Sequence, residues 1–193
     1  MRPTYLEINL PQLRKNIEAI RAHVTPAKVM TMVKANAYGH GLDGVAPYIE
    51  PSVNIFGVAI LEEGIHLREL GIKKPILVAG GTLPEQIPAF IEHDLTLTAS
   101  SIDLLASADA LADSAKKKLV VHLKIDTGME RVGVHYYEAS PNTELLSPPV
   151  IFHIWLTLRR RADAKLLGYK AMFFIEFART HVDLQCVKPN MIW

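Results

Sequence analysis

Apolar residues along this chain fall into short compact runs, and the stretches between them carry apolar positions at helical spacing. Residues 3–10 alternate loosely and predict a short strand. Pro11 stands where a helix can start, and Leu10, Leu13, Ile17 and Ile20 recur at helical period. After a break at 23–27 comes a compact apolar run, 29–33, that ends in the charge of Lys34. Residues 36–41 are polar and glycine-rich, and 45–49 predict a short helix. The pattern then repeats as strand 55–60, helix 62–70 closed by Gly71, strand 75–78, helix 84–93, strand 95–98, helix 102–115 and strand 119–125. A loop over 127–133 follows, then a sixth strand at 151–158 and an apolar helix at 165–179.

Strands that alternate with helices imply parallel strand-helix-strand units, and runs apolar on both faces imply helices on both sides or a closed barrel. No G-x-G-x-x-G follows the first strand, which weakens the dinucleotide-binding form of an open doubly wound sheet. In both architectures ligands sit at the carboxyl ends of the strands, which places Lys34 and the 126–131 loop on the functional side.

Composition narrows the classes. The chain has 193 residues, short of the roughly 250 of a complete eight-unit barrel. A net charge of +1 gives no basic field for nucleic acid. Hydrophobic residues at 49% argue against disorder, and no apolar run reaches the roughly 20 residues of a membrane span. A single cysteine, Cys186, excludes an internal disulfide and a four-thiolate zinc site. These features predict a soluble cytoplasmic protein that uses no metal. Usage changes near residue 136: ten of the eleven glycines precede it, and eight of the fourteen aromatics follow it.

Lys34 carries the most information. An amine at the end of an apolar strand is costly to keep charged, and a neutral amine attacks aldehydes to form a Schiff base. The competing reading is a lysine that snorkels from a strand end. The surrounding segment, Met32-Val33-Lys34-Ala35-Asn36-Ala37-Tyr38-Gly39-His40-Gly41, sets Tyr38 four residues after the amine and two glycines beside it. Further along runs His122-Leu123-Lys124-Ile125-Asp126-Thr127-Gly128-Met129-Glu130-Arg131-Val132-Gly133, where Arg131 is a planar donor suited to a carboxylate. Lys124 and Asp126 read alone as an ordinary surface ion pair. His23, His66, His93 and His181 read as surface or capping groups, His40 as a support for its loop, and Arg159-Arg160-Arg161 as a solvated face.

Both segments resemble alanine racemase, a fold-type III enzyme that uses pyridoxal 5'-phosphate (PLP). The second is similar to a K-x-D-T-G-M-x-R-x-G stretch of that family, with Glu130 where glycine is usual. Arg2-Pro3-Thr4 through Leu13, Phe56-Gly57-Val58-Ala59 with Leu61-Glu62-Glu63-Gly64, and Pro75-Ile76-Leu77-Val78 are similar to the family's first units. The resemblance implies an incomplete TIM-type (β/α) barrel of the family's N-terminal domain. It implies that Lys34 holds the cofactor and acts as one base, that Tyr38 contacts its phosphate, and that Arg131 steadies the second base and the ring oxygen. Lys124 would be a carbamylated lysine that orients Arg131.

The likeness runs continuously over 2–136 and decays over 137–193, where Thr157-Leu158-Arg159-Arg160-Arg161-Ala162-Asp163 sets Leu158 where the family has a histidine. The expected organisation is one partial barrel domain over 1–193, truncated and without the family's C-terminal β-domain and its second base. The expected activity is interconversion of L- and D-alanine for peptidoglycan supply, in a family of homodimers. Two other readings stay open: an inactive remnant, and a non-racemase PLP-binding protein of the same fold type, such as a decarboxylase relative.

Overall fold

The computed structural model describes residues 4–127, 130–135, 150–158 and 172–173. Strands and helices alternate from the start: α1 (Leu10–Val24), β1 (Met30–Met32), the single turn α2 (Lys34–Tyr38), α3 (Leu42–Ile49), β2 (Ile55–Val58), α4 (Leu61–Glu69), β3 (Ile76–Val78), α5 (Ile87–Glu92), β4 (Thr96–Ala99), α6 (Ile102–Ala115) and β5 (Leu119–Thr127). Then follow β6 (Val134–His135), β7 (Val150–Leu158) and β8 (Met172–Phe173).

Every ladder is parallel, and the strand order is β1-β2-β3-β4-β5-β7-β8, with β6 beside β5. A doubly wound sheet reverses its order at a switch point, whereas a barrel adds each strand next to the last. The sequential order therefore selects the incomplete (β/α) barrel over the open sheet. β4 pairs with β5 at Val121–Leu123 and β7 runs along the whole of β5, so β6 takes the β4 side at Ile125 and Asp126, beyond the end of β4.

Local signals set the helix ends. Asn9 Oδ1 accepts the amide of Gln12 at 2.9 Å to start α1 at Leu10, and Ser101 Oγ accepts that of Leu104 at 3.1 Å to start α6. Gly71, at φ +85°, follows the end of α4 in the left-handed region, where it takes over the chain reversal that a Cβ would oppose.

The two faces of the sheet differ. Phe56, Val58, Ile76, Val78, Leu97, Ala99, Val121 and Leu123 pack against Leu61 and Leu67 of α4, Ile87 and Phe90 of α5, and Leu104 and Leu105 of α6. Each such large side chain contributes roughly 1.5–3 kcal/mol on full burial, so this helix-facing layer supplies most of the stability. The alternate positions form the other face: Met32, Gly57, Thr96, Thr98, His122, Lys124 and Asp126. A Cβ on Gly57 would stand 2.2 Å from the Met32 sulfur, so Met32 lies across this face. Thr98, His122, Lys124 and Asp126 are all buried there, making the inner face polar toward the carboxyl ends of the strands.

Arg68 of α4 holds the amino edge. It donates to the carbonyls of Ile72 and Lys74 at 2.8 and 2.9 Å and to those of His93 and Asp94 at 3.0 and 2.7 Å. One guanidinium thus satisfies the lead-ins to both β3 and β4. Burial lowers its pKa from the ordinary value, with the Asp94 and Glu50 carboxylates acting in the opposite direction.

Two predicted elements differ from those observed. Residues 4–9 form no strand; Tyr5 and Leu6 are 84% and 73% exposed, and among the described residues no strand pairs with them. Met172–Phe173, placed by periodicity in a helix over 165–179, form β8 against Trp155 and Leu156. There the backbone N–H and C=O groups pair across a ladder with β7 instead of within a helical turn. The remainder of that predicted helix, with Cys186, His181 and Arg159-Arg160-Arg161, lies outside the described residues.

Candidate active site

The last rung of β1 is the amide of Val33 donating to the Gly57 carbonyl at 2.8 Å, and Lys34 is the next residue. It is half-buried at the carboxyl edge of the sheet. The chain then winds left-handed: Ala35, Asn36 and Ala37 have φ of 52°, 55° and 52°, and Tyr38 has φ 54°. Each non-glycine residue in such a turn costs roughly 1–2 kcal/mol against its right-handed form. Ala37 N still bonds Val33 O at 2.9 Å, and Gly39 N bonds Ala35 O at 3.1 Å, so the turn is helical in connectivity with its hand reversed.

Side chains hold it in this form. Glu63 Oε1, from the first turn of α4, accepts the amide of Ala35 at 2.6 Å. Asn36 Oδ1 accepts the amide of Leu42 at 2.7 Å, and His40 Nδ1 bonds the Ala37 carbonyl at 2.8 Å in its N–H tautomer. A hydrogen bond to a charged group contributes about 1.5–3 kcal/mol and a neutral one about 0.5–1.5 kcal/mol, together the size of the backbone strain. His40 is thus the loop support that its position suggested. Tyr38 is 55% exposed, and among the described residues no atom other than those of the glycine and its chain neighbours lies within 4 Å of where a Cβ on Gly39 or Gly41 would stand.

The second segment is anchored at Asp126. Its carboxylate accepts the amides of Glu130 at 3.2 Å and Arg131 at 3.1 Å, folding the loop back over the end of β5. Gly133 completes the return at φ +125°; a Cβ there would stand 2.8 Å from the Lys124 carbonyl and 3.0 Å from the Asp126 amide. Arg131 is thereby fixed by its backbone while its side chain is exposed. Lys124 and Asp126 are 9% and 3% exposed, so both lie buried on the inner face and not at the surface, where read alone they would stand. Asp126 is buried because its oxygens serve the loop amides.

Lys34 and Arg131 therefore stand on one edge, after β1 and after β5, and Lys124 approaches that edge from inside. His66 is at the surface, where Nε2 meets Asp43 Oδ1 at 2.7 Å. A cavity of about 380 Å³ lies at the opposite edge, lined by Arg21, Pro26, Lys28 and Asn54 among others; none of the candidate residues borders it. Among the described residues no three His, Cys, Asp or Glu side chains gather as a metal site, and no helix is long and apolar enough to cross a membrane.

Sequence reasoning gave Glu63 no role. It sits three residues after Ile60, and a capping-box signature is recognised by Ser or Thr at that position. Asp126, by contrast, carried a signal: an acid at the end of an apolar strand with a glycine two residues on.

A parallel sheet whose strands follow in sequential order, with helices between them, defines an incomplete (β/α) barrel, and the candidate amine and guanidinium both follow strand ends in it. The profile of the family described as alanine racemase, N-terminal domain, matches residues 8–163, and the chain belongs to that family. It is 42% identical over 147 residues to an alanine racemase of Carboxydothermus hydrogenoformans, covering 76% of this chain and 40% of that protein. Among solved structures, an alanine racemase of Clostridium difficile 630 superposes with a TM-score of 0.70 at 34% identity, over 80% of this chain and 42% of that one. A histidine racemase of Leuconostoc mesenteroides superposes with a TM-score of 0.67 at 27% identity, over 77% and 42%. The chain thus spans about 40% of the length of the curated relative.

Proposed function

We propose that this chain is a partial PLP-binding barrel domain over 1–193 that serves the interconversion of L- and D-alanine. The observation that carries the reading is Lys34, a half-buried amine at the carboxyl end of β1, followed by a strained turn held from outside. The donor set fits an aldehyde-bearing, phosphorylated cofactor: a primary amine, a phenol at Tyr38, and open space beside Gly39 and Gly41. When bound, pyridoxal 5'-phosphate supplies an electron sink that weakens the α-C–H bond of an amino acid.

Lys34 would hold the cofactor through Nζ and, once the substrate amine has displaced it and freed Nζ, would move a proton at the substrate Cα. Tyr38 contacts the phosphate. Arg131, held by Asp126, lends a fixed positive charge at the edge, and buried Lys124, carbamylated, orients it. Proton removal on one face and return on the other takes two bases; among the described residues Lys34 is the candidate for one. By analogy with the family, the whole enzyme is a cytoplasmic homodimer that feeds peptidoglycan synthesis.

The experiment is to supply PLP and measure D-alanine formed from L-alanine, with alanine decarboxylation and histidine racemisation alongside, in the wild type and Lys34→Ala. D-alanine formed faster than either rival product, and lost in the variant, supports the reading. No D-alanine from the wild type, or equal rates in both proteins, overturns it. Histidine is included because one structural neighbour is a histidine racemase.

A further inference from the structure

We infer that Glu63 is a positioning residue for the Lys34 amine, an inference that rests on the role proposed for Lys34. Glu63 lies in the first turn of α4, where a carboxylate is favoured by the helix dipole. Its two oxygens serve different elements. Oε2 accepts the amides of Ala59 at 2.8 Å and Ile60 at 3.4 Å, which caps α4 and fixes the chain leaving β2. Oε1 accepts the amide of Ala35 at 2.6 Å. Ala35 is no part of α4, and helix capping makes no use of that bond.

The bond sits at a sensitive place. Ala35 is the residue after Lys34 and the first of four consecutive non-glycine residues at positive φ. Such a turn drifts toward the right-handed region unless it is held, and the drift would swing Lys34 about the end of β1. The ladder between β1 and β2 ends at Val33 N to Gly57 O. Beyond that rung, the Glu63 carboxylate joins the two strand ends, one oxygen to each. Glutamine at this position presents its NH2 group either to Ala35 or to Ala59 and Ile60, and so satisfies only the donors on its other side. Alanine satisfies none of the three.

The test uses the full chain, with Glu63→Ala and Glu63→Gln. The first readout is the rate at which PLP attaches to Lys34, trapped by borohydride and located by peptide mass spectrometry. The second needs no PLP: acetylation of Lys34 by acetic anhydride, relative to Lys73 and Lys117 in the same sample. The expected result is attachment slowed about tenfold in Glu63→Ala, the scale of one lost charge-assisted hydrogen bond. Glu63→Gln falls between it and the wild type, and the acetylation ratio of Lys34 shifts in the same order. A general loss of fold is read separately, as loss of the cooperative urea transition, because Lys73 and Lys117 are already exposed in the folded protein. Glu63→Gln, which keeps one acceptor, reads the effect in a folded protein if Glu63→Ala unfolds. Unchanged attachment and an unchanged Lys34 ratio in both variants overturn the positioning role while leaving the cofactor reading in place. A wild type that takes up no PLP at Lys34, with the ratio still shifted in the variants, overturns the cofactor reading and keeps the positioning role.

Discussion

The Glu63 carboxylate accepts the amide of Ala35 at 2.6 Å, so the peptide that follows Lys34 is held from a helix 28 residues further along the chain. The same carboxylate bonds Ala59 at the end of β2. The lysine is thus mounted between two neighbouring strand ends whose relative position is set by a charge as well as by the ladder.

Asp126 performs the corresponding task for Arg131. Asp126→Ala leaves the amides of Glu130 and Arg131 without their acceptor at the end of β5. The expected loss of stability is about 1–3 kcal/mol, read as a lower urea midpoint. Asp126→Asn, which keeps one amide-accepting oxygen, loses less. Equal midpoints for wild type and Asp126→Ala contradict the anchoring role.

Arg68→Ala uncovers four carbonyls at the lead-ins to β3 and β4. The loss is expected at about 3 kcal/mol or more, above that of a single charged hydrogen bond. Arg68→Lys recovers little, because a point charge cannot reach carbonyls arranged around a planar fork. Chemical denaturation checks this: the midpoint should fall with the slope unchanged. Because Arg68 stands at the edge opposite Lys34, PLP attachment to folded Arg68→Lys protein should proceed at the wild-type rate.

His66 gives a pH signature. Its hydrogen bonds to Asp43, first, and to Glu69 raise its pKa above the ordinary 6.5. A raised folded-state pKa adds stability below the unfolded pKa, and that increment is lost as pH rises through the folded value. The stability difference between wild type and His66→Gln should therefore be present at pH 5.5 and absent at pH 9. The pair is exposed, so the difference is small and shrinks with added salt. A difference that grows with pH contradicts the assignment.

The sequence made the alternation of elements legible because compact apolar runs such as 55–58 and 76–78 are separated by stretches of helical spacing. Helix 102–115 was readable to the residue, since its apolar spacing stops at the charged turn of 116–118; the structure adds the Ser101 cap and the left-handed Lys116. Residues 3–10 misled because alternation announces a strand and says nothing about whether a partner exists. Residues 172–173 misled because pairing beside Trp155 and Leu156 outweighs local period. At the site, Lys34 stood out from its strand and its neighbours, whereas Glu63 depends on a contact 28 residues away that no local pattern encodes. The left-handed hand of Lys34–Tyr38 was equally hidden: alanine, asparagine and tyrosine carry no general demand for positive φ, and tertiary hydrogen bonds impose it.

The most direct test is to treat the folded chain with PLP, reduce it with borohydride, and map the modified peptide. The account predicts one pyridoxyl group, on Lys34, and none on the Lys34→Ala protein. Modification spread over surface lysines such as Lys73 and Lys117, and equal in both proteins, would contradict it.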